Sequence, residues 1–225
     1  MIGYNNKKKA GKPSMADEQI QTPEQELLVD FIVSLDGYAS GEGWPGWWGL
    51  EGPEYLRWLE QGPEGGYTCL MGANTYRAMS GMSDDAQSGE SAYSADEAES
   101  LTGLAAVPKV VFSSTLEAPL AWPNTQLVSG NAVEAVAEMK RSASKPMRTL
   151  GSLSLCRSLM EAGLVDRFRL VVFPVITGRT GRERIYDGYR DFALEMIDSR
   201  TFDGRLQLLE YRPTLIESPG VCGSG

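Results

Sequence analysis

The sequence predicts an α/β protein with a mostly parallel central sheet, helices on both faces and an antiparallel C-terminal edge. Three observations carry this. Segments of strand character alternate with segments of helical spacing until about residue 165, and only strands follow. Twice, at Met71-Gly72 and at Leu150-Gly151, an apolar run breaks at a glycine and a helical pattern starts directly after it. The 225 residues, 42% hydrophobic and 23% charged, suffice for one substantial core.

Residues 1–26 lack an apolar stretch and read as a disordered leader, with Lys7, Lys8 and Lys9 set among polar residues. In 27–35, Leu27, Val29, Phe31, Val33 and Leu35 alternate with Leu28, Asp30, Ile32 and Ser34, which predicts a mostly buried strand. Asp36-Gly37 ends it. A loop over 40–49 follows, rich in glycine and carrying Trp44, Trp47 and Trp48. Pro53 suits a first helical position, Glu54 suits a first turn, and Tyr55, Leu56, Trp58 and Leu59 recur with helical spacing. Residues 67–71 form the next strand, and a short helix starts at Asn74 or Thr75. The polar, acidic stretch 80–106 is expected to be a mobile excursion with a turn of helix.

Strands are expected at 110–112 and 126–128, then a helix over 132–141. A strand at 148–150 runs into Gly151 and an amphipathic helix over 152–162. The strongest strand, 167–176, leads into a turn over 177–184 rich in glycine and arginine. Segments 192–201 and 206–211 pair across Asp203-Gly204, a strong hairpin signal. One domain over 27–213 and a loose tail over 214–225 are therefore expected. The hairpin offers a self-complementary surface, so a homodimer is expected too.

Composition excludes several classes. A net charge of −9 supplies no basic field for nucleic acid or an anionic membrane, so an anionic cofactor must be held locally. The chain has no histidine, which removes a Ser-His-Asp triad, a Cys-His pair and imidazole-based zinc sites. Cys69, Cys156 and Cys222 are too scattered for a disulfide framework or a metal site, and no metal is expected. A reducing, cytoplasmic setting fits. No apolar run approaches the roughly 20 residues that span a bilayer.

The two junctions Met71-Gly72-Ala73-Asn74-Thr75 and Leu150-Gly151-Ser152-Leu153-Ser154 each aim backbone N–H groups and the positive end of a helix at one point. Two such points can hold one pyrophosphate. Glycine at a strand–helix turn is also commonplace, and neither junction is a Walker loop or the spaced three-glycine fingerprint.

Val33-Ser34-Leu35-Asp36-Gly37-Tyr38, Leu70-Met71-Gly72-Ala73-Asn74-Thr75-Tyr76, the run Pro108 to Leu116, Gly151 to Leu155, Gly163-Leu164-Val165-Asp166 and Phe173-Pro174-Val175-Ile176-Thr177-Gly178 occur in an order that resembles the dihydrofolate reductase-like superfamily. Within it, the chain is most similar to the reductase domain of bifunctional riboflavin-biosynthesis enzymes and their stand-alone relatives, over residues 27 to 213. The resemblance implies a dihydrofolate reductase-like fold and an NAD(P)H-dependent reductase of a small pterin-like or pyrimidine-like heterocycle, or of a carbonyl compound. It implies that Gly72, Ala73, Asn74 and Thr75, with Gly151, Ser152, Leu153 and Leu155, flank the dinucleotide phosphates. Ser113, Ser114 and Thr115 would lie near the adenosine ribose, and Ser34 to Gly37 beside the nicotinamide. The family usually has arginine where this chain has Ala73, so NADH stays open beside NADPH. The zinc deaminase domain of the riboflavin enzymes has no counterpart in these residues.

Glu54 sits where dihydrofolate reductases place their substrate-binding carboxylate, and is equally a helix-dipole residue; Asp36 is a second candidate acid, or an ordinary Asp-Gly turn. Trp47 and Trp48 can wall a planar substrate or cap the core. Arg179, with Arg182 and Arg184, can bind a substrate phosphate or sit in a solvated turn. The competing readings are a non-catalytic nucleotide-binding module that keeps the fold, and a structural homodimer.

Overall fold

Strand β1 (Leu27–Ser34) is apolar toward both faces, with Leu27, Leu28, Val29, Phe31 and Val33 all at most 3% exposed. A strand of this kind needs partners on both edges and cover on both faces. It has them in the computed structural model, which describes residues 25–43, 46, 48–62, 65–88, 93 and 95–217. β6 (Met147–Thr149) lies on one edge and β7 (Arg167–Phe173) on the other, both parallel to it. Beyond β6 come the parallel strands β3 (Thr68–Gly72), β4 (Lys109–Phe112) and β5 (Thr125–Val128). Beyond β7 come the antiparallel β10 (Leu206–Leu215) and β9 (Phe192–Phe202). The order is β5-β4-β3-β6-β1-β7-β10-β9.

Helices α4 (Ala132–Ser142) and α5 (Leu153–Glu161) cover one face, where Val136, Leu155, Leu159 and Met160 pack with Val29, Phe31, Val33 and Phe168. On the other face α1 (Pro53–Glu60) sets Tyr55 and Trp58 against Val171, Phe173, Leu206 and Leu208. Beside it, Tyr76 of α2 (Ala73–Ser88) and Leu104 of α3 (Ala95–Ala106) pack with Met71, Val111 and Trp122. The expected α/β architecture with its antiparallel edge is therefore present.

Three sequence expectations need correction. The stretch 80–106 is mostly helical: α2 runs on to Ser88, and α3 occupies 95–106. Acidic residues hid this, because the helices are stabilised from below by Met79, Leu104 and Ala105 packing around Trp122 and by Lys109, whose Nζ donates to the carbonyls of Leu104, Ala105 and Val107 at 2.7, 3.2 and 2.6 Å. The loop over 40–49 and the turn over 177–184 contribute a second small sheet, in which β2 (Tyr38–Gly41) pairs with β8 (Gly181–Arg184). Neither strand alternates apolar and polar residues, so only the long-range pairing defines them. Finally, β10 extends to Leu215, past the expected domain end at 213. Residues 1–24 and 218–225, which hold most of the expected leader and tail, lie outside the described residues.

One irregularity positions the site. β1 runs alongside β7 for seven paired residues, Leu28 to Ser34, whereas it pairs with β6 only at Leu27 and Leu28. Toward their carboxyl ends β1 and β6 part, and the crevice where open α/β sheets bind ligands lies beyond those ends.

Candidate active site

The two glycine junctions are in direct contact. β3 and β6 are neighbours, with Leu70 paired to Thr149, so Gly72 and Gly151 emerge side by side. Ser152 ties them together: its Oγ accepts from the Gly72 N–H at 2.7 Å and shares a hydrogen bond with Thr75 Oγ1, also at 2.7 Å. To reach across, Gly151 and Ser152 adopt successive left-handed conformations, φ +55° and +64°. A glycine tolerates this freely, and a serine at a cost of about 1–2 kcal/mol. A Cβ on Gly151 would stand 3.3 Å from Thr75 Oγ1, so the two turns are packed without a gap.

The consequence is electrostatic. α1 is capped by Asp203, whose carboxylate accepts from the N–H groups of Glu54 and Tyr55 at 3.0 and 3.2 Å. α4 is capped by Asn131 and carries Glu134 in its first turn. By contrast, the N-cap residue of α5, Ser152, makes no capping hydrogen bond to its own helix, and neither α2 nor α5 has an acidic residue in its first turn. Two adjacent helix ends thus keep their positive character, which suits a bound diphosphate. On α2 the cation is Arg77, one turn past Ala73, with Nη1 donating to Asn74 Oδ1 at 3.3 Å. Gly72 pairs with Phe112, which places the turn Ser113-Ser114-Thr115 next to Ala73. There Ser113 Oγ accepts from the N–H groups of Thr115 and Leu116, both at 3.1 Å. Leu155 departs from its expected place: its side chain is buried in the core beneath α5.

Across the crevice, Ser34 closes β1. Its Oγ donates to Asp36 Oδ1 at 2.7 Å and accepts from Tyr38 N–H at 3.0 Å. Asp36 also accepts from the N–H groups of Thr177 and Gly178 at 3.1 and 2.8 Å. Partial burial opposes the charge on Asp36, but the hydrogen bonds from Ser34, Gly178 and Thr177 outweigh it and hold the group down at about 2. Such a carboxylate is no proton donor near neutral pH. Asp36 is a staple between the end of β1 and the segment after β7, which corrects its reading as a catalytic acid. Glu54 is likewise committed: its Oε2 accepts from the Asp203 N–H at 2.6 Å, completing a reciprocal cap with the hairpin tip.

Sequence reasoning missed Glu51. Its Oε2 is buried without a hydrogen-bond partner among the described residues, in the loop that leads into α1. The residue as a whole is half-buried, so one oxygen of its carboxylate is left to be complemented by a group outside the chain. Only the fold could single it out, since nothing in its sequence context separates it from Glu54. Trp48, three residues earlier, is 8% exposed and packs on Phe173 with ring centroids 5.8 Å apart. It caps the core, yet its Nε1 also lacks a partner among the described residues. Trp44 and Trp47 lie outside the described residues. Arg179 and Arg184 are exposed, and Arg182 faces Glu42 at 3.8 Å on the surface, so the three form no enclosed anion pocket. Burial pushes the thiols of Cys69 and Cys156 up to about 12, far from thiolate chemistry. Among the described residues, no cluster of carboxylates and thiols is suited to a metal, and no helix is long and apolar enough to cross a membrane.

A parallel sheet with an antiparallel edge, two helix ends converging at its carboxyl side and a splayed β1–β6 pair together define the dihydrofolate reductase-like class. Solved structures share the fold. A putative riboflavin biosynthesis protein from Shewanella sp. PV-4 superposes with a TM-score of 0.60 at 18% identity, covering 84% of this chain and 99% of that one. Dihydrofolate reductase from Enterococcus faecalis, complexed with NADP(H) and RAB-propyl, gives 0.52 at 12% identity over 84% and 96% of the two chains. Residues 25–208 match the RibD C-terminal domain, and the chain belongs to that family. A curated relative, the uncharacterized protein YyaP of Bacillus subtilis (strain 168), is 31% identical over 84 residues, which make up 37% of this chain and 44% of YyaP. The matched segment is thus less than half of that relative's length.

Proposed function

We propose that the chain is an NAD(P)H-dependent reductase of a small pterin-like or pyrimidine-like heterocycle or of a carbonyl compound, with NADPH preferred over NADH. The observation that carries this reading is the Ser152 tie, which sets two helix ends without an acidic first turn side by side at the mouth of the crevice. The residues fit the cofactor. With the Gly72 N–H held by Ser152, amides of Ala73 to Thr75 and of Gly151 to Leu153 would hold the pyrophosphate, Ser113 to Thr115 the adenosine ribose, and the Ser34 to Gly37 turn would border the nicotinamide. When bound, the dinucleotide supplies the hydride, so the protein's task is to bind and orient. Asp36 holds the turn in place. Glu51, with its unpartnered oxygen, takes the substrate-facing role first assigned to Glu54, and the Trp48 indole N–H is a donor in the same loop. Family membership and the NADP(H) complex of a fold relative support the cofactor class. A cytoplasmic setting accords with buried, reduced thiols.

The test is titration of the purified protein with NADPH and NADH, followed by tryptophan fluorescence, and then absorbance-monitored cofactor oxidation with a panel of pterins, pyrimidines and quinones. Saturable binding with turnover of one substrate class is expected. Binding without turnover of any of them would favour a nucleotide-binding module, and absence of binding would remove the reductase reading.

A further inference from the structure

The Ser34 to Gly37 turn is gripped from two sides. On one, the Asp36 carboxylate accepts from the N–H groups of Thr177 and Gly178, beyond the end of β7. On the other lies the segment 185–191, which joins β8 to β9. Ile185, 1% exposed, donates its N–H to the Gly37 carbonyl at 3.0 Å. The next residue, Tyr186, lays its ring on Gly37 itself: a Cβ there would stand 2.8 Å from Cε2 and 3.1 Å from Cδ2 of the ring. Gly37 also has a φ of +86°, so this position needs glycine both for its backbone and for the approach of the ring.

The same segment is fastened to α5. Arg157 of that helix donates from Nη1 to the Asp187 carbonyl at 3.1 Å. The Tyr189 N–H donates to the Tyr186 carbonyl at 3.3 Å, and the Tyr189 side chain packs against the core that holds Leu155, Cys156 and Leu159. One short connection thus links the helix whose amino end faces the crevice to the turn that closes β1. Tyr186 itself is 47% exposed, so its ring adds little to the core; what it fixes is Gly37.

We propose that Tyr186 is a positioning residue for the nicotinamide end of the dinucleotide, acting through Gly37. The assignment rests on the proposed reading of the Ser34 to Gly37 turn as the border of the nicotinamide, and adds the group that holds that turn in place. The two ends of the cofactor are then held by different devices: helix amides for the diphosphate, and a turn clamped between Asp36 and Tyr186 for the ring. A turn already fixed in the free protein does not have to be ordered when the ligand arrives. Without the tyrosine ring Gly37 is an uncovered glycine with wide backbone freedom, and ordering it weakens whatever binds against it. The loss falls on the nicotinamide end alone, because the amides at Gly151 and Ala73 make no use of Tyr186.

Fluorescence titration of the full chain with each nicotinamide nucleotide and its nicotinamide-free counterpart tests this: NADPH beside 2′-phospho-ADP-ribose, and NADH beside ADP-ribose. In Tyr186→Ala the affinity for the whole dinucleotide should fall roughly fivefold to tenfold, while that for the counterpart stays within about twofold. Tyr186→Phe, which keeps the ring, should match the wild type for both. Tyr186→Leu should show the same split as alanine and stands in for it if the alanine variant does not fold, as melting curves without ligand will report. A structural role without bearing on the nicotinamide would move both affinities together. Equal losses for the two ligands, no loss for either, or a loss in Tyr186→Phe as large as in Tyr186→Ala would each overturn the assignment. A wild type that binds the dinucleotide no more tightly than its counterpart would overturn it too and leave the phosphate site standing, whereas a wild type that binds neither would remove the reductase reading itself.

Discussion

Gly151 meets three demands at once: a left-handed φ of +55°, contact with Thr75, and a place at the start of the α5 end that faces the crevice. Gly151→Ala adds a methyl 3.3 Å from Thr75 Oγ1 and a backbone strain of about 1 kcal/mol, whereas Gly151→Asp adds a carboxylate that competes for the helix amides and repels phosphate. Both variants should lose stability by similar amounts in the absence of cofactor, while dinucleotide affinity falls roughly tenfold further in the aspartate variant. Equal affinities in two folded variants would sink the phosphate-site assignment. At the neighbouring position, Ala73→Arg should tighten NADPH more than NADH, because a guanidinium can pair with the extra phosphate; parallel gains for both would reverse the assigned cofactor orientation. Asp36 has a pH signature. Its folded pKa, about 2, lies below the ordinary 3.8, so its contribution is present above 3.8 and lost as pH falls through about 2. Melting temperature measured across that window should fall less steeply in Asp36→Asn than in the wild type, and identical slopes would show that the staple contributes nothing.

The helices differ in what holds their ends. α1 is fastened to the β9–β10 hairpin by the reciprocal Glu54–Asp203 cap, whereas the loop before it carries Glu51 with an unpartnered oxygen. Glu54→Gln should therefore lower stability by about 1 kcal/mol with little change in turnover, and Glu51→Gln should lower kcat/KM roughly tenfold to a hundredfold with stability kept or raised. The opposite pattern in a stopped-flow and unfolding comparison would return the substrate role to Glu54. α3 depends on Lys109, which is 2% exposed, serves three carbonyls and lies 4.5 Å from the centroid of the Trp122 ring. Removing a charged donor from buried carbonyls costs about 2–3 kcal/mol. Lys109→Met should show that loss in urea unfolding, and a change under about 0.5 kcal/mol would mean that α3 needs no such anchor.

Across the molecule, four strands of the sheet are tied by a row of alternating charge. Arg148 of β6 reaches Asp30 of β1 at 2.6 Å, Arg169 of β7 reaches the same carboxylate at 2.8 Å, and Glu210 of β10 accepts from Arg167 at 2.6 Å. Arg169 is 1% exposed and its guanidinium stacks 5.0 Å from the centroid of Trp58. Burial opposes ionisation of Asp30, and the flanking guanidinium groups of Arg148 and Arg169 hold its carboxyl below the ordinary range all the same. Breaking a buried network from one side leaves charge uncompensated, so Asp30→Asn should cost about 3–5 kcal/mol in denaturant unfolding, far more than an exposed pair such as Arg212–Glu195. A loss within 1 kcal/mol would show that the row is solvated rather than structural.

Sequence alone determined the class of fold, the strand β1, the two glycine junctions and the C-terminal hairpin, because each is a local signal: a period of two, a break at glycine, an Asp-Gly turn. It also removed imidazole chemistry outright, since a residue type that is missing cannot be supplied by folding. Tertiary structure alone decided that α3 forms, because its stability comes from Trp122 and Lys109 and not from its own acidic sequence. It decided that β2 finds β8 more than 130 residues away, with Tyr38 opposite Arg184. It decided too which carboxylates are spent: Asp36 and Glu54 are saturated by partners far along the chain, Thr177, Gly178 and Asp203, and Glu51 is not. Local pattern reports what a residue can do; which of its hydrogen bonds remain to be made depends on neighbours that only the closed fold brings within 3 Å.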